Sequence, residues 1–427
     1  MRTFTIIWLG QLVSTIGTYM TEFALIIWAW ELTGSATALA LVGFFSQLPR
    51  IPITLFAGII VDRFNRKRLM ILGDAIAALS TIAILLLYLT DNLQIWHLYL
   101  TSAVNGSFGQ IQQLAYSTSI AMIVPQQHYT RASSMGSMVH YGSAIFAPAL
   151  AGSLYPVVGL LGILLIDLTT FTVAIATLVA VNIPQPSRPD ANQQVLETLT
   201  FGLRYIWNHR GLRALLVTTA LFWFAHDLGG AIYDPMILAR TDGSAQVLGS
   251  VAASAGVGGV TGAVIVSVWG GPKRRIDGML LGFIGAGLSK TVFGLGHTTF
   301  VWIPAQFCSS LNFPLLSSAE TALWMANVVP EKQGRVFAAN ALILQIVSAI
   351  AIFIAGPLAD RVFEPAMSPG GIATILGGIF SSGSGAGMAV LYVITAIGLL
   401  LVGCGGFAYR ELQELEPIKP NRDNHTI

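Results

Sequence analysis

Long apolar runs separated by short polar turns account for most of this chain. Runs at 4–30, 36–61, 69–90, 94–124, 132–157 and 159–183 are followed by 213–238, 245–269, 277–297, 300–328, 336–358 and 387–409. About 20 mostly apolar residues cross a bilayer as a helix, so the pattern predicts twelve transmembrane helices. Interior Pro49, Pro52, Pro148, Pro235, Pro304 and Pro314 are expected to kink their helices. Residues 184–212 form the one long connection on the basic side. There Val195, Leu199, Leu203 and Ile206 recur at helical spacing after the loop-like IPQPSRPDANQQ, which predicts an amphipathic surface helix. Segment 361–386 reads as irregular and flexible, ending in GGIFSSGSGAGM.

Composition agrees with a bilayer-embedded body. Of 427 residues, 54% are hydrophobic and 10% charged, against about 25% charged in a soluble domain. A net charge of +2 is too small to argue for a nucleic-acid partner. Basic residues set the orientation. With the N-terminus inside, 18 of the 22 Lys and Arg fall in cytoplasmic segments, as the positive-inside rule requires. Both termini are then cytoplasmic, in a multi-pass protein of the cell (inner) membrane. Cys308 and Cys404 lie in apolar runs without disulfide or metal-ligand spacing, and no cofactor or metal is expected.

The chain repeats itself. Gly34-Ser35-Ala36 recurs as Gly243-Ser244-Ala245, Arg66-Lys67-Arg68 as Lys273-Arg274-Arg275, and Val124-Pro125 as Val329-Pro330. The matches keep one order and a slowly shrinking offset. Six helices per unit is an even number, so the halves have the same orientation, related by an axis along the membrane normal. This predicts an all-α membrane protein of two pseudo-symmetric six-helix bundles, 1–184 and 213–410, joined by a linker at 185–212 and followed by a tail at 411–427.

Between the second and third runs stands Gly58-Ile-Ile-Val-Asp62-Arg63-Phe-Asn65-Arg66-Lys67-Arg68. This order resembles the signature loop of the major facilitator superfamily, with Asn65 where that loop usually has glycine. Asn tolerates left-handed backbone, so the turn is expected to survive. Gly58 would let two helices approach, and Asp62 would sit against the positive N-terminus of a neighbour. The resemblance names that neighbour as the eleventh helix, near Gln333 and Gly334, in the outward-open state. Gly58, Asp62, Arg63, Arg66 and Arg68 thus form the expected gating motif. TIIWLGQLVSTIG, LTGSATALALVG, VPQQHYTRASSM, VPEKQGRVFAAN and GPLADRVFEPAM look like the macrolide-efflux-like branch. That resemblance implies a secondary transporter exporting an amphipathic small molecule (an antibiotic, siderophore or peptide natural product) with protons as the second partner. It is not an enzyme. Two departures stand out: residues 94–124 hold no Lys or Arg, and the antiporter pattern of the fifth helix is partial. Pro148 and Gly152 are the expected kink and close-packing residues there.

Charged groups inside hydrocarbon are costly and default to functional candidates. Asp227 lies roughly 20 Å from its basic end, next to His226, although adjacent helical residues do not share a face. Glu22, Glu320 and Arg50 complete the coupling and substrate candidates; each acid is weighed against a structural ion pair, for instance with Arg50, or a snorkelling residue at the interface, and Arg50 against a brace of the bundle. The resembled fold lines its cavity with helices 1, 7 and 10, and places Asp167 in a supporting helix. Trp223 and Phe224 would form an apolar substrate wall; other tryptophans mostly suit an interfacial belt. Uptake or uniport is the second transport reading. A membrane enzyme finds no acidic pair, metal motif or phosphate loop here, and a non-transporting receptor would bind without flux. A monomer is expected.

Overall fold

The structure is a computed structural model describing residues 2–183, 195–368, 373–381 and 383–416. Most of the predicted linker loop (184–194) and the tail beyond 416 lie outside the described residues. The helices are α1 Arg2–Thr33, α2 Ala36–Gln47, α3 Arg50–Arg63, α4 Arg66–Leu89, α5 Ile95–Ile123 and α6 Tyr129–Ala180. A surface helix α7, Val195–Asn208, leads to α8 Arg210–Arg240, α9 Ala245–Trp269, α10 Arg275–Leu295, α11 Thr299–Leu311, α12 Phe313–Asn327 and α13 Pro330–Leu358. After a π-helical turn at Ala359–Phe363 come α14 Glu364–Ala366, α15 Ala373–Phe380, α16 Ala386–Ala408 and α17 Arg410–Gln413.

Every predicted span is covered by helix, yet only nine among the described residues are continuous and apolar enough to cross a membrane by length and composition alone. The shortfall has identifiable causes. Helix α5 carries Asn105, Gln110, Gln112 and Gln113, which lower its hydropathy. Helices α11 and α12 are interrupted at Asn312. In α6, the fifth and sixth spans run together across Gly159, at φ 63° and ψ −172°, a backbone conformation open almost solely to glycine.

The six interior prolines do not act alike. Pro49 ends α2, because it has no N–H and its ring meets the preceding turn; it then stands before α3 with φ −71°. Pro314 lies in the first turn of α12, where a missing N–H costs nothing. Pro148, Pro235 and Pro304 sit inside continuous helices. Segment 361–386 is also more ordered than its composition suggested, being helical over most of its described part. Of the predicted amphipathic face on α7, Ile206 is buried, and Gly202 lies against the Arg335 backbone of α13.

Tight seams join the halves on the side opposite the basic loops. Added at Gly152 of α6, a Cβ would meet the Ala245 carbonyl of α9 at 2.7 Å, and one at Gly249 the Pro148 carbonyl at 2.7 Å. Phe44 of α2 meets Phe353 of α13, centroids 4.9 Å apart. One buried apolar cluster on this far side draws on both halves, including Ile27, Leu39, Ile232, Met236 and Ala355. Towards the basic loops the cores part. Phe222, Phe283 and Leu323 belong to a C-terminal cluster, while Met70, Ala115 and Leu178 belong to an N-terminal one. The two halves therefore close on the far side and separate towards the basic loops.

Candidate functional site

Three of the charged candidates meet in one cavity. Glu22 of α1, Arg50 at the α2–α3 break and Asp227 of α8 line a space of about 410 Å³ between the halves, walled by Leu25, Leu39 and Ile352. The break at Pro49 places Arg50 at the start of a new helix, and its Nε is buried without a partner. Glu22 and Arg50 attract each other electrostatically, although no ion pair within 4.0 Å joins them among the described residues. Asp234 lines the same cavity. It lies seven residues, two turns, beyond Asp227, and that i, i+7 spacing on one apolar helix was the available signal for it.

Asp227 has different company from that expected. Its Oδ1 lies 3.1 Å from His226 Nδ1, so the two side chains meet despite their adjacent positions, each bending toward the other. Its cationic neighbour is Lys290 of α10, which is 8% exposed and electrostatically coupled to both Asp227 and His226. Lys290 Nζ donates to the Tyr392 hydroxyl at 3.3 Å and lies 5.4 Å from that ring's centroid. Lys290 is the one lysine inside a predicted span, but nothing in the local sequence links it to Asp227.

A second cavity of about 460 Å³ lies within the N-terminal half and shares Glu22, Ser46, Arg50 and Ser102 with the first. Its wall holds two further carboxylates. Asp74 of α4, buried, accepts from Gln112 at 2.6 Å and Gln11 at 3.1 Å. Asp167 of α6, also buried, accepts from Thr81 at 3.1 Å. Asp167 thus faces the inside of the bundle, not a merely supporting position. The polar residues of α5 that lack a cation instead supply amides, with Asn105 accepting from Ser80 at 2.9 Å.

Glu320 stands apart. It is buried in α12, on the C-terminal side, and is absent from the walls of both cavities. Nearby Trp223, His226 and Phe313 form a half-buried ring cluster, with His226 and Phe313 centroids 5.0 Å apart. Phe224 packs instead against the far-side core. Trp302 is fully buried and donates to the Gly296 carbonyl at 3.1 Å, so it is no interfacial anchor.

In the Gly58–Arg68 loop, Asn65 is extended, φ −64° and ψ 115°, and its side chain accepts from the Arg68 N–H. It is the N-cap of α4, so no left-handed turn is needed there. Arg66 reaches the Thr118 carbonyl at 3.0 Å, and Lys67 reaches the Val181 carbonyl at 2.7 Å at the end of α6. Arg63 and Arg68 are exposed. Asp62 is half-exposed, 3.8 Å from Arg66, and a Cβ at Gly58 would meet open space. The expected approach to α13 is not made in this conformation.

A body of long apolar helices in two halves around a charged central cavity defines a membrane transporter. Residues 7–352 match the Major Facilitator Superfamily, and the chain belongs to that family. It is similar to Macrolide efflux protein A of Streptococcus pyogenes, 26% identical over 365 residues covering 84% of this chain and 90% of that protein. Multidrug efflux pump Tap of Mycolicibacterium fortuitum is 24% identical over 341 residues, covering 77% of this chain and 82% of that one. Among solved structures, a bacterial homolog of the human lysosomal transporter Spinster, in an inward-facing and unoccupied conformation, superposes with a TM-score of 0.72 at 15% identity. That match covers 98% of this chain and 99% of the other.

Proposed function

We propose that this protein exports an amphipathic small molecule across the cell membrane in exchange for protons, by rocking its two halves about the shared cavity. The observation that carries this reading is the meeting of Glu22, Arg50 and Asp227, from both halves, in one cavity between them. Carboxylates at that depth suit proton pickup and release as access changes sides. Leucine and isoleucine walls with acids at one edge suit a cargo that is part apolar and part charged. The names of the relatives, efflux proteins for macrolides and for multiple drugs, favour export.

The basic loops face the cytoplasm in this reading, with both termini on that side. The structure's separated halves then describe an inward-open form. In the outward-open form Asp62 swings against the N-terminus of α13, and Gly58 lets the helices close.

Inside-out vesicles carrying the protein, given a fluorescent amphipathic cation and an imposed pH gradient, test the proposal. Uptake that collapses with the gradient is expected, and Glu22→Gln and Asp227→Asn should each reduce it to the level of vesicles lacking the protein. Glu320→Gln, outside the shared cavity, should lose less. Gradient-independent uptake, unchanged in both cavity variants, would overturn proton-coupled export.

A further inference from the structure

The spacing of the gating motif occurs twice. Gly58-Ile-Ile-Val-Asp62-Arg63 ends the second span, and Gly356-Pro-Leu-Ala-Asp360-Arg361 ends the eleventh. These two spans run antiparallel, so the C-terminal end of each lies on the same side of the membrane as the N-terminal end of the other. A carboxylate at the C-terminal end of its own helix is electrostatically misplaced, because that end already carries partial negative charge. Its placement makes sense if it serves the N-terminus of a different helix.

On the far side that is what it does. Asp360 Oδ2 accepts from the Ser35 hydroxyl at 2.6 Å and from the Thr37 N–H at 2.8 Å. Its Oδ1 accepts from the Ala36 N–H at 3.1 Å. The remaining first-turn donor, the Ala38 N–H, goes to the Ser35 hydroxyl at 3.2 Å. The first turn of α2, in the N-terminal half, is thus satisfied largely by a carboxylate of the C-terminal half. One turn earlier, Gly356 makes this possible: a Cβ there would collide with the Thr37 backbone. The next acid, Glu364, is turned inward to its own half, where it accepts from the Met388 N–H at 2.9 Å. It anchors the end of the eleventh span while Asp360 reaches across.

We infer that Gly356 and Asp360 form an outer latch that holds the transporter shut on the external side, the reciprocal of Gly58 and Asp62 on the cytoplasmic side. Each of the two spans contributes a glycine–aspartate pair at its C-terminal end and receives the other's carboxylate at its N-terminal end. In the conformation described, the outer pair is engaged and the inner pair is apart. Rocking the halves exchanges one engagement for the other. Asp360 is therefore a positioning residue for alternating access, with no contact to cargo. The inference rests on the alternating-access reading above, but its test needs neither cargo nor gradient.

Ala40 of α2 is 3% exposed and lines the cavity just inside this seam. In a protein with Cys308 and Cys404 replaced by serine, Ala40→Cys should react slowly with a membrane-impermeant maleimide applied from outside. Asp360→Ala should raise that rate by about tenfold or more, the scale at which a few charge-assisted hydrogen bonds bias an equilibrium. Gly356→Val should raise it too, with the carboxylate intact, by wedging α13 from α2. Asp62→Ala should leave it low. If Asp360→Ala cannot be purified as a monodisperse species, Asp360→Asn combined with Ser35→Ala carries the same expectation. External labelling unchanged by either the aspartate or the glycine variant overturns the latch, whatever the flux assay shows. Failure of wild-type export with these labelling shifts intact would instead overturn only the export reading.

Discussion

Asp227 and Lys290 show what burial demands of a charged side chain. Lys290 is almost fully enclosed between helices, with a tyrosine hydroxyl as its hydrogen-bond partner and Asp227 as its source of opposite charge. Removing one of two interacting buried charges leaves the other uncompensated, whereas replacing both with neutral groups is often tolerated. Lys290→Met is therefore expected to lower the thermal unfolding temperature in detergent markedly, and Lys290→Met with Asp227→Asn to recover most of it. Equal, additive losses from the two changes would show that the residues are not coupled. Glu22 and Asp227, two of the three acids in the shared cavity, were visible as charges in apolar runs. Their grouping was not, because residues more than two hundred positions apart meet only when the two halves pack.

Glycine does much of its work between elements. Gly152 and Gly249 bring α6 and α9 so close that each Cβ position is filled by the other helix's backbone. Gly152→Val should force that far-side seam apart and tilt the balance toward opening there. The measurable consequence lies at the other end: spin labels at Phe64 and Glu331, both exposed near the basic loops, should move closer. An unchanged distance distribution would mean that this seam does not control the inner opening. The periodicity of apolar residues set the helices to within a few positions, and α9 at 245–269 matches its run end for end. Helix breaks were less legible. Among six prolines in predicted spans, those at 49 and 314 fall at interruptions, while those at 148, 235 and 304 lie inside continuous helices.

At the scale of the whole molecule, the charge distribution predicts orientation. A cysteine placed at exposed Asn65, in the basic loop, should react with impermeant maleimide only after the membrane is opened. One at Asp91 or Asp242, in far-side turns with φ 54° and 49°, should react in intact cells. The reverse pattern would invert the direction of every step assigned to the two latches. The matched halves are a parallel repeat, yet the paired Gly–Asp elements are not exchanged by that repeat. They relate the second span to the eleventh, across the interface, and so report on its two ends separately.

The sequence by itself determined where the apolar helices run, the repeated pattern and the excess of positive charge on one side. Each of these follows from short-range periodicity, or from a count of charges against the cost of burying them. The tertiary structure alone decided which charges share a cavity: Asp234 joins Glu22 and Asp227 between the halves, Asp74 lines the cavity of the N-terminal half, and Glu320 lines neither. It also decided that Asp360 caps α2 while Asp62 caps nothing. Such pairings depend on how the two bundles tilt against each other. Local sequence leaves that tilt open, because a transporter must be able to adopt more than one.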